Sequence, residues 1–133
     1  MSGFHLIKKL GIKSGMLVSL VNTPENFRIL LRDIPEDIKF IKMIQGTKVD
    51  YLHAFFRNKK DLQRDIYFLK KHIQKEGMLW ISWPKGSSGV DTDLNRDIIR
   101  EMVLQEGLVD VKVCSIDNIW SALKFVYRRK DRY

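Results

Sequence analysis

The sequence predicts an α/β fold: a three-layer sandwich on a mostly parallel six-stranded sheet whose C-terminal strand runs antiparallel. Three observations predict it. Residues 16–21 (MLVSLV) are an unbroken apolar run, as expected of a strand buried on both faces of a parallel sheet. Further strands then alternate with segments of helical period, which implies right-handed crossovers between parallel strands. Only Asp117-Asn118-Ile119-Trp120 separates the last two strands, too short a link for a crossover, so those two form an antiparallel hairpin.

The elements follow in order. Thr23 suits the N-cap and Pro24 the first position of a short helix, with Phe27, Leu30 and Leu31 on its apolar face. Residues 37–44 form the second strand. Lys39 and Lys42 interrupt it on opposite faces, which places it at a sheet edge where charge blocks unwanted pairing. Gln45, Gly46 and Thr47 turn the chain into a third strand, 49–56, rich in aromatics. Asn58 caps a helix running to about Lys75, with Leu62, Ile66, Leu69 and Ile73 on one stripe and Gly77 as its end. Residues 78–83 form the fourth strand. A third helix covers 93–106, with Leu94, Ile98 and Met102 as stripe and Gly107 as stop. The strands 109–116 and 121–127 close the chain.

This layout fixes a strand order. A helix of about 14 residues, rising 1.5 Å per residue, is long enough to skip one strand position. The short hairpin then returns the final strand into the gap, between the fourth and fifth strands and antiparallel to both. Leu123 and Phe125 suit a central place, whereas Lys112 marks its strand as nearer the edge. The first strand is then flanked by the second and third, and the loops after strands one and four share one end of the sheet.

At 133 residues the chain is expected to be a single domain, 1–133, with the basic end 128–133 (Arg128, Arg129, Lys130, Arg132) loose. No apolar run nears the roughly 18 residues that span a bilayer, so no membrane is expected. Lys8, Lys9 and Lys13 are not followed by the apolar segment of a secretory signal. The lone Cys114 cannot form an internal disulfide, which suits a cytoplasmic setting. The net charge of +8 is spread along the chain, so any duplex binding is expected to be weak, sequence-blind and salt-sensitive.

The candidate site is the stretch Trp80-Ile81-Ser82-Trp83-Pro84-Lys85-Gly86-Ser87-Ser88-Gly89, an apolar strand running into a Gly/Ser loop and then the acidic residues Asp91 and Asp93 at a helix start. Ligands of open α/β sheets bind outside the carboxyl ends of strands. Backbone amides of such a loop can hold an anion, with Lys85 as counter-charge. The bland alternative is a loop leading to a capped helix. The residues named for a ligand are Lys85, Ser87, Ser88, Gly89 and Thr92, joined by Asn22 and Thr23 from the turn after the first strand. That turn, Val21-Asn22-Thr23-Pro24-Glu25, has no glycine, Pro24 has no N–H, and Glu25 repels an anion. The acid that would grip a ribose after the second strand is absent from Lys42-Met43-Ile44-Gln45-Gly46. No cofactor and no metal are therefore expected. His5 and His72 lack partners at ligand spacing. His53 reads as a satisfied core or face residue of its strand and Cys114 as a buried thiol. Trp80 reads as core, while Trp83 and Trp120 could frame a stacking surface.

The helix–strand–hairpin–strand end is similar to the C-terminal half of class I methyltransferases. More specifically, the chain resembles a bacterial family of unknown function with a reduced methyltransferase-like fold. The residues that carry the resemblance begin with Lys8-Lys9-Leu10-Gly11-Ile12-Lys13 and Gly15-Met16. They continue with Trp83-Pro84-Lys85, Ser88-Gly89-Val90 and Thr92-Asp93-Leu94. Gly107-Leu108-Val109-Asp110-Val111-Lys112-Val113-Cys114, Trp120-Ser121 and Leu123-Lys124-Phe125-Val126 complete it. Ser14 stands where that pattern has proline. The resemblance implies the fold, with a methyltransferase-like strand order, and adds no mechanism. The leading reading is a non-catalytic binding or regulatory module for a small anionic ligand or a protein partner, with a homodimer as an option. Alternatives are a small transferase-type enzyme using loop 85–92, and a weak electrostatic nucleic-acid binder.

Overall fold

The computed structural model describes residues 3–42 and 46–132. Its strands are β1 (Leu17–Val21), β2 (Lys39–Phe40), β3 (Val49–Phe55), β4 (Ile73–Pro84), β5 (Leu108–Ser115) and β6 (Trp120–Tyr127). They form one sheet in the order β2-β1-β3-β4-β6-β5, the order expected from the crossover and hairpin. β2, β1, β3 and β4 are parallel, and β6 pairs antiparallel with both β4 and β5. The helices are α1 (Gly3–Leu10), α2 (Glu25–Leu30), α3 (Lys59–Lys71) and α4 (Arg96–Gln105).

Each sheet face carries its own core, which makes the three layers. On one face α3 and α4 bury Leu62, Ile66, Leu69, Ile99 and Val103 against Leu52, Ala54, Leu79, Ile81, Leu123 and Phe125. On the other, Leu6, Ile7 and Leu10 of α1 and Phe27 of α2 pack on Val18, Tyr51, Phe55, Trp80 and Ala122. α1 is a helix the sequence reading missed, although Leu6, Ile7 and Leu10 fall at helical spacing. Among the described residues no helix is long and apolar enough to cross a membrane.

Several boundaries differ from expectation for local reasons. β2 is only two residues long, and Met43, Ile44 and Gln45 of the expected strand and turn lie outside the described residues. Pro24 takes the N-cap of α2 with extended backbone, so Thr23 is not the cap. Asn58 does cap α3, its side chain accepting from the Asp61 amide at 2.8 Å. α4 starts at Arg96, because Asn95 is its cap and accepts from Ile98 N at 2.9 Å. Asp93 is therefore not at the start of α4. Its carboxylate instead accepts from Lys59 N at 2.7 Å, at the first residue of α3. The buried stripe of α4 is Ile99 and Val103, one position beyond the expected Ile98 and Met102, which pack only at the margin. At the basic end, Arg129–Asp131 form a 3-10 turn, and Arg132 Nε donates to the Tyr127 carbonyl at 3.0 Å.

Gly77 does not end α3. The helix stops at Lys71, and Gly77 lies inside β4, where four residues bulge between the Ile73–Val49 and Met78–Tyr51 pairs. A methyl group there would sit 2.7 Å from Ile73 Cγ2 and 3.0 Å from the carbonyl oxygens of Val49 and Asp50. The glycine is needed for close approach of two strands. Gly77→Ala is expected to destabilise the protein by about 1–3 kcal/mol, the usual cost of overpacking. Urea denaturation measures it, and an unchanged midpoint would mean that the strands do not approach so closely.

Candidate functional site

The carboxyl ends of β1, β3 and β4 lie at one end of the sheet. The chain leaves β1 for β2 on one side, and β3 lies on the other, so the crevice between β1 and β3 is the topological switch point where α/β sheets bind ligands. A cleft of about 390 Å³ opens there. Asn22, Thr23 and Pro24 line it from the β1 side, Arg57, Asn58 and Arg64 from the β3–α3 side, and Trp120 from the start of β6.

The polar groups of the cleft are tied in place. Asn22 holds a left-handed backbone (φ 57°), and its Nδ2 donates to the Phe55 carbonyl at 3.1 Å, which locks the end of β1 to that of β3. Arg57 lies 5.8 Å over the Trp120 ring. Trp120 is itself braced edge-on by Phe55 at 5.2 Å. Arg64 binds Asp65 at 3.0 Å and Asp61 at 3.2 Å. Asp61 also accepts from Asn58 Nδ2 at 3.0 Å. Most of these groups already have partners: Arg64 is held by Asp61 and Asp65, the Asn22 and Asn58 amides donate to the Phe55 carbonyl and to Asp61, and Arg57 is the lining cation with no carboxylate partner among the described residues.

The residues expected at the site separate into three groups. Asn22 and Thr23 line the cleft. Lys85 lies in a neighbouring hollow with Ser115, Asp117 and Asn118, and its ammonium donates to Ser115 Oγ at 2.6 Å. Ser87, Ser88, Gly89 and Thr92 line neither hollow. Their loop is closed on itself: Ser88 Oγ donates to the Lys85 carbonyl at 2.6 Å, Val90 N donates to Ser88 Oγ at 3.2 Å, and Thr92 Oγ1 accepts from Leu94 N at 3.0 Å. Arg57 and Arg64 were not singled out in the sequence, because no motif or spacing sets them apart and only the β1–β3 adjacency brings them to Asn22.

A glycine-rich nucleoside cradle does not fit this turn. Pro24 and Glu25 stand where amide donors are needed, and α2 behind them is only six residues long. Phe27, at the same place, is buried against Phe55 and His53 at 5.0 and 4.8 Å. The two tryptophans expected to frame a stacking surface are both buried: Trp83, 7% exposed, packs in the α3–α4 core, and Trp120, 5% exposed, packs in the core of the other face although it also lines the cleft. Trp80 is core, donating Nε1 to the Leu10 carbonyl at 3.0 Å.

His53 is a satisfied core residue, as expected. Its ring nitrogens meet Tyr51 Oη at 2.9 Å and Ser82 Oγ at 2.7 Å, and the ring stacks on Phe55 at 4.4 Å. Cys114 is buried, and burial raises its thiol pKa. Among the described residues no group of three His, Cys, Asp or Glu side chains could hold a metal ion.

No family model and no curated protein matches the sequence. Solved structures do resemble it in fold. One is a ribosomal protein L11 methylase from Lactobacillus delbrueckii subsp. bulgaricus, 14% identical over 96% of this chain and 77% of that one, with a TM-score of 0.62. A SAM-dependent methyltransferase from Aquifex aeolicus is 13% identical over 92% and 88%, with a TM-score of 0.61. Magnesium protoporphyrin IX methyltransferase from Synechocystis, solved with bound SAH, is 11% identical over 95% and 80%, with a TM-score of 0.60. At these identities the likeness establishes a methyltransferase-like fold.

Burial lowers the pKa of His53 from 6.5 to about 3. The folded protein keeps the ring neutral, while the unfolded chain takes up a proton below its ordinary pKa. This contribution is therefore complete above pH 6.5 and is lost as pH falls toward 3, by at most about 1.4 kcal/mol per pH unit for one proton. Urea midpoints at pH 7 and pH 5 are expected to differ more in the native protein than in His53→Gln. Equal pH dependence in the two would contradict a neutral, sealed His53.

Proposed function

We propose that the protein is a binding or regulatory module that takes a small anionic ligand in the β1–β3 cleft, on a methyltransferase-like frame. The observation that supports this reading best is Arg57, held over the Trp120 ring at the switch point with no carboxylate partner among the described residues, while Arg64 beside it is shared with Asp61 and Asp65. Guanidinium groups are planar, permanently charged and suited to oxyanions. Arg57 gains a fixed orientation from Trp120, which lowers the ordering cost of binding. Thr23 adds a hydroxyl, and Lys85 raises the positive potential at the same end of the sheet. Of the loop residues, Ser88 supports Lys85, its amide and hydroxyl both donating to the Lys85 carbonyl. Among the described residues the cleft lining contains no histidine or cysteine, and Asp61 is doubly engaged, so no general base stands ready in it.

The fold likeness favours one other reading, a transferase-type enzyme whose methyl donor enters this end of the sheet, since one similar structure carries SAH. Calorimetric titrations with pyrophosphate and with SAH separate the two. The binding reading expects pyrophosphate to bind below millimolar concentration, weakened about tenfold in Arg57→Gln and again in Arg64→Gln, about 1.4 kcal/mol each. It expects no SAH binding in that range. Micromolar SAH binding would favour the enzyme, and the absence of both would defeat the anion site.

A further inference from the structure

We propose a second ligand site on the opposite flank of β1, fitted to a small molecule with an apolar body and one anionic head: a medium-chain or aromatic carboxylate. A hollow of about 450 Å³ lies between α2, the 3-10 turn Leu31–Asp33 that continues it, and β2. Its apolar surface comes from Leu20, Leu31, Phe40 and Ile41, and its cations are Arg28, Arg32 and Lys42. Among the described residues it shares no lining residue with the β1–β3 cleft.

Two features point to this occupant. The first is charge. Among the described residues, the ion pairs are those of Arg64 and Arg100, so Arg28, Arg32 and Lys42 have no acidic partner there. Three like charges around one hollow repel each other, and an anion placed among them relieves that repulsion. The second is the uncovered apolar floor. β2 is the last strand of the sheet, and Phe40 on it is 47% exposed. Phe40 joins Leu20, Leu31 and Ile41 in one lining, and a contiguous apolar surface rimmed by charged groups is of the kind that binds a ligand. An inorganic anion would leave Phe40 wet, and a neutral hydrocarbon would leave the cations unpaired. A molecule with both parts answers both features, and the hollow has the volume of small-ligand pockets.

The test uses the full chain and two probes that differ only at the head, octanoate and octanol, titrated by calorimetry near pH 7. Octanoate is expected to bind below millimolar concentration and octanol about tenfold more weakly or not at all. The double variant Arg28→Gln/Arg32→Gln is expected to weaken octanoate about tenfold and leave octanol unchanged. Phe40→Ser is expected to weaken both. These side chains are at the surface, so an unchanged melting temperature confirms that each variant is folded. Arg57→Gln, which removes a cation of the other cleft, is expected to leave octanoate binding as it was. Failure of octanoate to bind, equal binding of octanol, or an equal loss in Arg57→Gln would overturn the proposal. The last result would assign octanoate to the β1–β3 cleft instead.

Discussion

One oxygen of Asp117 accepts the amides of both Ile119 and Trp120, each at 2.8 Å. This closes the short turn before β6 and makes the chain reverse at once. Because the turn is so tight, β6 has nowhere to go but back along β5, and α4 has already carried β5 one place too far to touch β4. β6 therefore fills the gap, with Pro84 opposite Trp120 and Leu79 opposite Phe125. The loop after β4 is held by the same device, since Lys85 N donates to the Ile119 carbonyl at 2.7 Å. The position of Trp120 follows from that register. It arrives at the carboxyl end of β4, within reach of Arg57 from the next connection, and becomes one wall of the cleft. A looser turn would leave both the central pairing and the site wall unspecified.

The strand order was legible because it rests on link lengths and on strand composition, which are local properties of the chain. Residues 16–21, Asn58 and the four residues 117–120 carry their meaning without tertiary context. What was not legible depends on partners far away in sequence. Gly77 reads as a helix stop until the carbonyls of Val49 and Asp50 are found 3.0 Å from its missing methyl. Asp93 reads as the start of the next helix, yet it serves α3, 34 residues back. Trp83 reads as a strand-end aromatic, but its alternation places it on the α3–α4 face, in the same core cluster as Leu94 and Phe56. The site shows the same division. Lys85 and the Gly/Ser loop stand out in sequence through composition, whereas Arg57 and Arg64 acquire a role only because β1 and β3 are neighbours.

Both edges of the sheet are blunted, by different means. β2 offers only two residues to pair, flanked by charge. β5 is long and exposes Val111 and Val113, but its register shifts between Asp110 and Lys112, and this bulge disturbs the regular row that another strand would need. Lys112, though exposed, donates to the Lys9 carbonyl at 2.8 Å and so ties α1 to the edge strand β5. The two edges therefore differ in what they can accept. β5 is closed to strand addition by its own geometry, while β2 is closed by brevity and leaves beside it a hollow of side chains rather than a backbone edge.

β1 is the strand on which the functional argument turns. In a fold of this kind its end is where a backbone loop would approach a ligand, and this requires glycines and free amides. Here the end is closed by side chains: Asn22 takes a left-handed backbone without being glycine and binds the Phe55 carbonyl, and Pro24 removes an amide. Recognition must then pass from the backbone to the side chains on either flank of β1. Those side chains are cationic on both flanks, Arg57 and Arg64 toward β3, Arg28, Arg32 and Lys42 toward β2. They differ in what accompanies the charge. Toward β3 the cations stand among amides and beside one indole face, which favours a polar oxyanion. Toward β2 they surround aliphatic and aromatic carbon, which favours an anion with an apolar body. Part of the excess of basic residues, diffuse along the sequence, is thus gathered into two chemically distinct clusters once the parallel strands bring their carboxyl ends together.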